Sequence, residues 1–371
     1  MRRFGMLILI LSLVVGLTAC DGDSPTPTSS PTLPASPTPV ETEAPGISPN
    51  INKTTSGRMM EDEVWRGDIL ITGDVQVPQE VTLTVEPGAT IRFTAQSDDQ
   101  HGDEEYSPED PSTIHAIMIS ILVLGVLDAQ GTPDQPIVFT SDSDVPGPMD
   151  WQSITIEDSG MAVLDYVVIE HSYFGLQLNS PSLRASINHS TIRDVTTCGI
   201  CTGDHPIDEP IIISNSRFIR CGREAIDTYR DQNIMVHHNV FSDNYVAIMS
   251  VGSSIAIESN LFIGNIRGIG VVEGGNPTII GNEFTESDGA AIFVTNASPI
   301  IMNNNIYANL SNMELEGSEL GVTAENNWWG STDIETIEEL ILDGKDNPSL
   351  GVIDFEPYAT AAFALDVPEY E

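Results

Sequence analysis

The chain has 371 residues, 40% of them hydrophobic, and its 55 acidic against 14 basic residues give a net charge of -41. No lysine lies between Lys53 and Lys345. A field of that sign excludes nucleic acid as a partner and opposes the unaided capture of any polyanion. It suits either a surface adapted to salt or one that collects divalent cations.

Residues 1–19 form an expected signal peptide. Arg2 and Arg3 precede an apolar run from Met6 to Leu17, too short to span a membrane as a mature helix. Leu17-Thr18-Ala19-Cys20 resembles a bacterial lipobox, which implies lipid on Cys20. The chain is then expected in the cell envelope, on the outer side of the cytoplasmic membrane or at the cell surface, touching the membrane only through its lipid. Residues 20–56 are expected to form the lipidated cysteine and a stalk. Eight of the 24 prolines fall between Pro25 and Pro49, among Thr and Ser, a composition that cannot bury a core. Further on, Asp98 to Asp110 (with Asp99, Asp103, Glu104 and Glu105) could hold Ca²⁺, although the spacing of a twelve-residue calcium loop is missing.

Residues 57–360 are organised by a repeat of about 22 residues. Asn239, Asn260, Asn282, Asn305 and Asn327 each stand two places before an aromatic: Phe241, Phe262, Phe284, Tyr307 and Trp329. Ser190 with Ile192 and Ser216 with Phe218 continue the series upstream. A second register sets a small residue before an aliphatic one, as in Gly199-Ile200, Ala225-Ile226, Ala247-Ile248, Gly268-Ile269 and Ala291-Ile292. A third is apolar and β-rich, as in Ile211 to Ile213 and Ile234 to Val236. Three short strand-like runs per unit leave no room for a helix, so the chain is expected to be an all-β solenoid, a parallel β-helix with three strands per coil. The asparagines then form a structural ladder at one corner, with copies about 4.8 Å apart.

With Ile200, Ile226, Ile248, Ile269 and Ile292 facing inward, Cys201, Asp227, Met249, Gly270 and Phe293 form one outward column. Beside it lie the insertion Gly203-Asp204-His205-Pro206-Ile207-Asp208-Glu209 and the arginines Arg217, Arg220, Arg223, Arg230 and Arg267. Acids, a histidine and arginines are thus expected in one lateral groove, with Asp204 and Asp208 as candidate metal ligands. Three cysteines besides Cys20 allow at most one intramolecular bridge, for which Cys198 and Cys221 are the expected pair, leaving Cys201 free. Thr332-Asp333-Ile334-Glu335 has the form of a capping box, opening a helix to about Leu342 that closes the last coil. Residues 361–371 form an acidic tail.

The opening Trp65-Arg66-Gly67-Asp68-Ile69 and Glu86-Pro87-Gly88-Ala89-Thr90-Ile91, the repeats, and the ending Asn326-Asn327-Trp328-Trp329-Gly330 with Phe355-Glu356-Pro357-Tyr358 resemble the right-handed parallel β-helix superfamily. That superfamily includes pectate lyases, polygalacturonases and periplasmic accessory proteins of nitrous-oxide reductase. The resemblance covers residues 60 to 360 and implies the right hand of the solenoid. Its lyases combine Ca²⁺-binding acids with a basic residue for proton abstraction. Carried over, Asp227 and Glu224 become the acidic partners, Arg230 or Arg267 the cationic group, and His205 or Tyr245 the proton carrier.

The Asn-Thr-Asp, Gly-His-Gly and Arg-x-Lys motifs of polygalacturonases are absent, as is the Arg-x-Pro-x-x-Arg motif of pectate lyases. These absences favour a non-catalytic, surface-tethered solenoid that binds extracellular glycan or packs into an envelope assembly. The irregular coil at residues 200–231 favours instead a polysaccharide lyase or glycoside hydrolase acting on uronate polymers. A role in metal-centre maturation is implied by the resemblance alone.

Overall fold

The structure is a computed structural model that describes residues 51–97, 117–231 and 233–370. These belong to the second of the chain's two units, Pro49–Glu371. The expected signal peptide, Cys20, residues 20–50 of the stalk and the acidic loop at 98–110 lie outside the described residues. Among the described residues, no helix is long and apolar enough to cross a membrane.

Each coil lays down three strands in turn, and each strand pairs in parallel with its copies one coil away. In one coil these are Ile211–Ser214, Arg217–Ile219 and Glu224–Tyr229; in the next, Ile234–His237, Val240–Ser242 and Val246–Val251. Strands of the first kind build a ten-stranded face, called here the third face. The Arg217–Ile219 series builds the first face and the Glu224–Tyr229 series the second. First and second faces merge at the start of the solenoid, where Asp68–Val77 pairs with Thr90–Phe93 through one half and with Ser120–Val123 through the other. The chain is an all-β parallel β-helix, with one helix of five residues among those described.

Alternation along each strand decides what is inside. Phe218, Phe241, Phe262 and Phe284 are in register and fully buried, their rings stacked at 4.9, 4.9 and 4.5 Å. Ile200, Ile226, Ile248, Ile269 and Ile292 form the matching column from the second face. The small residue before each isoleucine sits where adjacent backbones converge. A Cβ on Gly268 would lie 2.2 Å from the Ala291 carbonyl oxygen, and one on Gly175 2.3 Å from that of Gly199.

The corners explain the asparagines. Asn239 donates its N–H and its Nδ2 to Asn260 Oδ1 (2.9 and 3.0 Å), and Asn260 does the same to Asn282. The next rung is Asn304, where Asn305 was expected: Asn282 bonds to Asn304 Oδ1 and Asn304 to Asn327 Oδ1. Asn304 is therefore two places before the inward Ile306, while Tyr307 faces outward and gives its hydroxyl to Glu283. The residue before each rung is left-handed, as at His238, Ser259, Gly281 and Asn303 (φ 55, 54, 68 and 58°). Non-glycine residues resist that conformation, and the ladder bonds of the following residue hold it. A second ladder, absent from the sequence reading, runs at the opposite end of the first face. Asn244 bonds to Asn265 Oδ1 (3.0 and 2.9 Å), and Ser287 donates its N–H to Asn309 Oδ1.

Both ends differ from their expected form. The solenoid begins before residue 57, because Ile51–Arg58 pairs with Asp68–Val77. At the other end the helix is shorter than expected, Ile334–Glu338, with Asp333 as N-cap and no side-chain capping bond, so the Thr332 capping box does not form. Ile341–Leu342 instead leaves the helix to pair with Ser311–Leu315. An open strand edge is better satisfied by a strand than by more helix. The cysteine pairing also differs: Cys198 is bonded to Cys201, and Cys221 is free and buried. Cys221 occupies the second-ladder corner, its N–H on Asn244 Oδ1, and belongs to the hydrophobic core.

Candidate functional site

The outward column of the second face has the expected membership and order. Gln177, Cys201, Asp227, Met249, Gly270, Phe293 and Glu314 follow one another in register. The upper part of the column is roofed. A Cβ on Gly270 would lie 2.3 Å from the Phe293 ring and 2.8 Å from Met249 Sδ, so both side chains fold over the glycine. Arg267 lies over the Phe293 ring at 4.4 Å and is held by Glu316 at 2.5 Å.

Below this roof sits a pair of carboxyl groups on Glu224–Tyr229. Glu224 and Asp227 are 6% and 8% exposed although both leave the core side of the strand. Arg223 reaches Glu224 Oε1 at 3.3 Å with most of its side chain in solvent. Asp227 Oδ1 is buried without a hydrogen-bond partner. Burial pushes Asp227 up to about 7, and the charge of Glu224 adds to the rise, while Arg223 and the Tyr229 phenol work against it. Burial raises Glu224 too, opposed by Arg223. Tyr229 is raised by its own burial and then by the two carboxylates. A buried carboxyl with an unused oxygen, titrating near neutrality beside a second one, is the pattern of a functional acid.

A third group joins them at the edge of this face. The backbone bonds of Thr197 to Tyr173, Arg223 to Thr197, Val246 to Arg223 and Arg267 to Tyr245 put Tyr173, Arg223 and Tyr245 at one corner position of successive coils, with Thr197 between the first two. Tyr245 is 54% exposed. The signal for this column was present in sequence, since each of these residues stands two places before the small residue of its coil.

The other candidates do not converge. Arg220 is on the first face in a two-bond pair with Asp194 (2.7 and 2.8 Å), and Arg217 is also on that face. Arg230 lies past the far end of the strand and pairs with Asp204 at 3.2 Å, both exposed. His205 belongs to that same loop, near Asp231, which is bonded to Thr202 Oγ1 and the Ile207 N–H. The corner at Cys221 and Gly222 separates Arg217 and Arg220 from Arg223, and six residues of strand separate Arg223 from Arg230. The expected common groove is thus corrected to Arg223, Glu224 and Asp227, with Arg267 in the roof. Asp204 is taken by Arg230 and Asp208 is exposed, its carbonyl accepting from Asn233 Nδ2, so the two do not form a metal site. Among the described residues no three His, Cys, Asp or Glu converge to hold a metal ion.

Residues 174–329 match a family described as the right handed beta helix region. Among solved structures, the catalytic unit of a thermostable GH87 alpha-1,3-glucanase from Streptomyces thermodiastaticus strain HF3-3 is 14% identical, with a TM-score of 0.41. The alignment covers 82% of this chain and 63% of that one, so the chain spans less than two thirds of that structure's length. No curated protein matches the sequence.

Proposed function

We propose that this member of the right-handed parallel β-helix superfamily binds extracellular glycan along its second face, tethered to a membrane surface through lipid on Cys20. The observation that carries the reading is the corner column of Tyr173, Arg223 and Tyr245 beside Glu224 and Asp227. Sugars offer C–H faces to tyrosine rings and hydroxyls to carboxyl and guanidinium groups. Three coils separate the two tyrosines, about 14 Å at the spacing of stacked strands, so an extended chain would run along the solenoid axis. The net charge of -41 favours a neutral glycan over a polyanionic one.

A second reading, cleavage of the bound glycan, is favoured by Asp227. An acid that keeps its proton up to about pH 7 can donate it to a leaving oxygen, and Glu224 stands next to it as the second carboxyl. Titrating residues 49–371 with neutral and uronate polysaccharides, while following new reducing ends and the ultraviolet absorbance of unsaturated products, separates the two. Tyr245→Ala is expected to weaken binding of a neutral polymer about tenfold, near 1.4 kcal/mol. Asp227→Asn should abolish any cleavage and leave binding in place. If Tyr245→Ala and the parent chain bind every polymer equally, the second face is not the glycan surface.

A further inference from the structure

Outward positions on a solenoid face ordinarily meet water, yet on the first face Val240 and Leu261 are 2% and 6% exposed. Residues 363–370 lie across them. Phe363 donates its N–H to Asn305 Oδ1 (2.9 Å), and Asn305 Nδ2 donates to the Phe363 carbonyl (3.1 Å). From Phe363 to Asp366 the segment runs back along the solenoid, against the order of the coils. Asp366 Oδ2 comes to 3.4 Å from His238 Nε2. Val367, Pro368 and Glu369 border a cleft of about 290 Å³ with Arg217 and Val240. Together with Tyr370 they border another of about 590 Å³ with Leu261, Glu283 and Tyr307.

This seat is built for side chains. The strands of the first face already use their backbone groups on one another, and a segment that crosses them cannot extend the ladder. Charge is mixed along the seat: Glu369 borders one cleft with Glu283 and Glu286 and the other with Arg217 and His238, where Asp366 also lies. Thr360, Ala361 and Ala362, which lead into the segment, are exposed.

We propose that the first face carries a docking groove for an extended Phe-Ala-Leu-Asp-Val-Pro-Glu-Tyr segment, filled within the chain by residues 363–370, and that the same segment of a second copy can take it. The contacts are identical in the two arrangements, and an exposed connector is what such an exchange requires. The choice between them is then one of effective concentration. Two copies would be joined side by side through their first faces, leaving the second faces free.

The test uses a labelled peptide of residues 359–370, the full chain, and the chain lacking residues 361–371. The peptide is expected to bind the shortened chain at least tenfold more tightly than the full chain, and Val240→Asp should abolish that binding. The full chain should form a dimer as its concentration rises, and Val367→Asp should keep it monomeric. If the shortened chain does not fold, the full chain with Val367→Asp and Pro368→Gly, whose seat is loosened, replaces it as the peptide's receptor. A peptide that binds neither form overturns the groove. A peptide that binds while the full chain stays monomeric at every concentration overturns the exchange.

Discussion

Replacing Asp227 by asparagine tests the candidate site through stability, without knowledge of any ligand. The carboxyl is buried with one oxygen unpartnered, and its pKa rises from 3.8 to about 7. Between those values the folded chain holds a proton that the unfolded chain has lost, so stability falls as pH rises through that window and levels off above it. At 1.36 kcal/mol per pH unit, the ionised form costs about 4 kcal/mol by pH 8. Asparagine has nearly the same shape and no charge, so Asp227→Asn removes this slope. In urea unfolding from pH 4 to pH 8.5, the variant should match the parent at the acid end. Its advantage should then grow to about 4 kcal/mol at the alkaline end. Glu224→Gln should recover part of that gain, because the charge of Glu224 contributes to the rise. A difference that stays flat within about 1 kcal/mol across the range would refute the reasoning. It would mean that the Asp227 carboxylate finds compensation in the folded chain and is no reservoir for a proton near neutrality.

The remaining predictions concern the frame that holds this site. Asn260→Ala removes the side-chain acceptor of the Asn239 N–H, one of the two acceptors of Asn239 Nδ2 (the Ile213 carbonyl remains) and the Nδ2 donor to the Val236 carbonyl, which at about 1 kcal/mol per bond should cost about 3 kcal/mol in urea unfolding; a loss under 1 kcal/mol would show the ladder to be ornamental. Gly268→Ala places a methyl against the fixed carbonyl of Ala291 and should cost about 1–3 kcal/mol in the same assay. Peptide mapping without reduction should recover Cys198 linked to Cys201, and Cys221 should react with iodoacetamide only after unfolding. Recovery of a Cys198–Cys221 peptide would reverse that assignment.

Much of the frame was legible because it is local and repeats. A small residue before isoleucine, recurring each coil, defines the inward column, and alternation then assigns Cys201, Asp227, Met249, Gly270 and Phe293 to the outward one. Glu224 and Asp227 were candidates for the same reason. The rung at Asn304 was misread because Asn305 also precedes an aromatic by two, and only the pairing of Phe284 with Ile306 separates the two. The rungs of the second ladder, Asn244, Asn265, Ser287 and Asn309, each stand three places after the inward Phe241, Phe262, Phe284 or Ile306, but they differ in residue type, which hides the register in the sequence.

By itself, the sequence determined the coil, its three strands and the inward columns, since a period near 22 with alternating faces admits one stacking of the copies. Tertiary structure decided what the outward residues do. Corners send neighbours such as Arg220 and Arg223 to different faces, and a glycine at 270 lets Phe293 fold down under Arg267. Residues 363–370 return to cover a face that alternation alone would have left wet. The burial that pushes Asp227 up to about 7 is of that second kind, because desolvation depends on every neighbour at once and leaves no periodic trace in the chain.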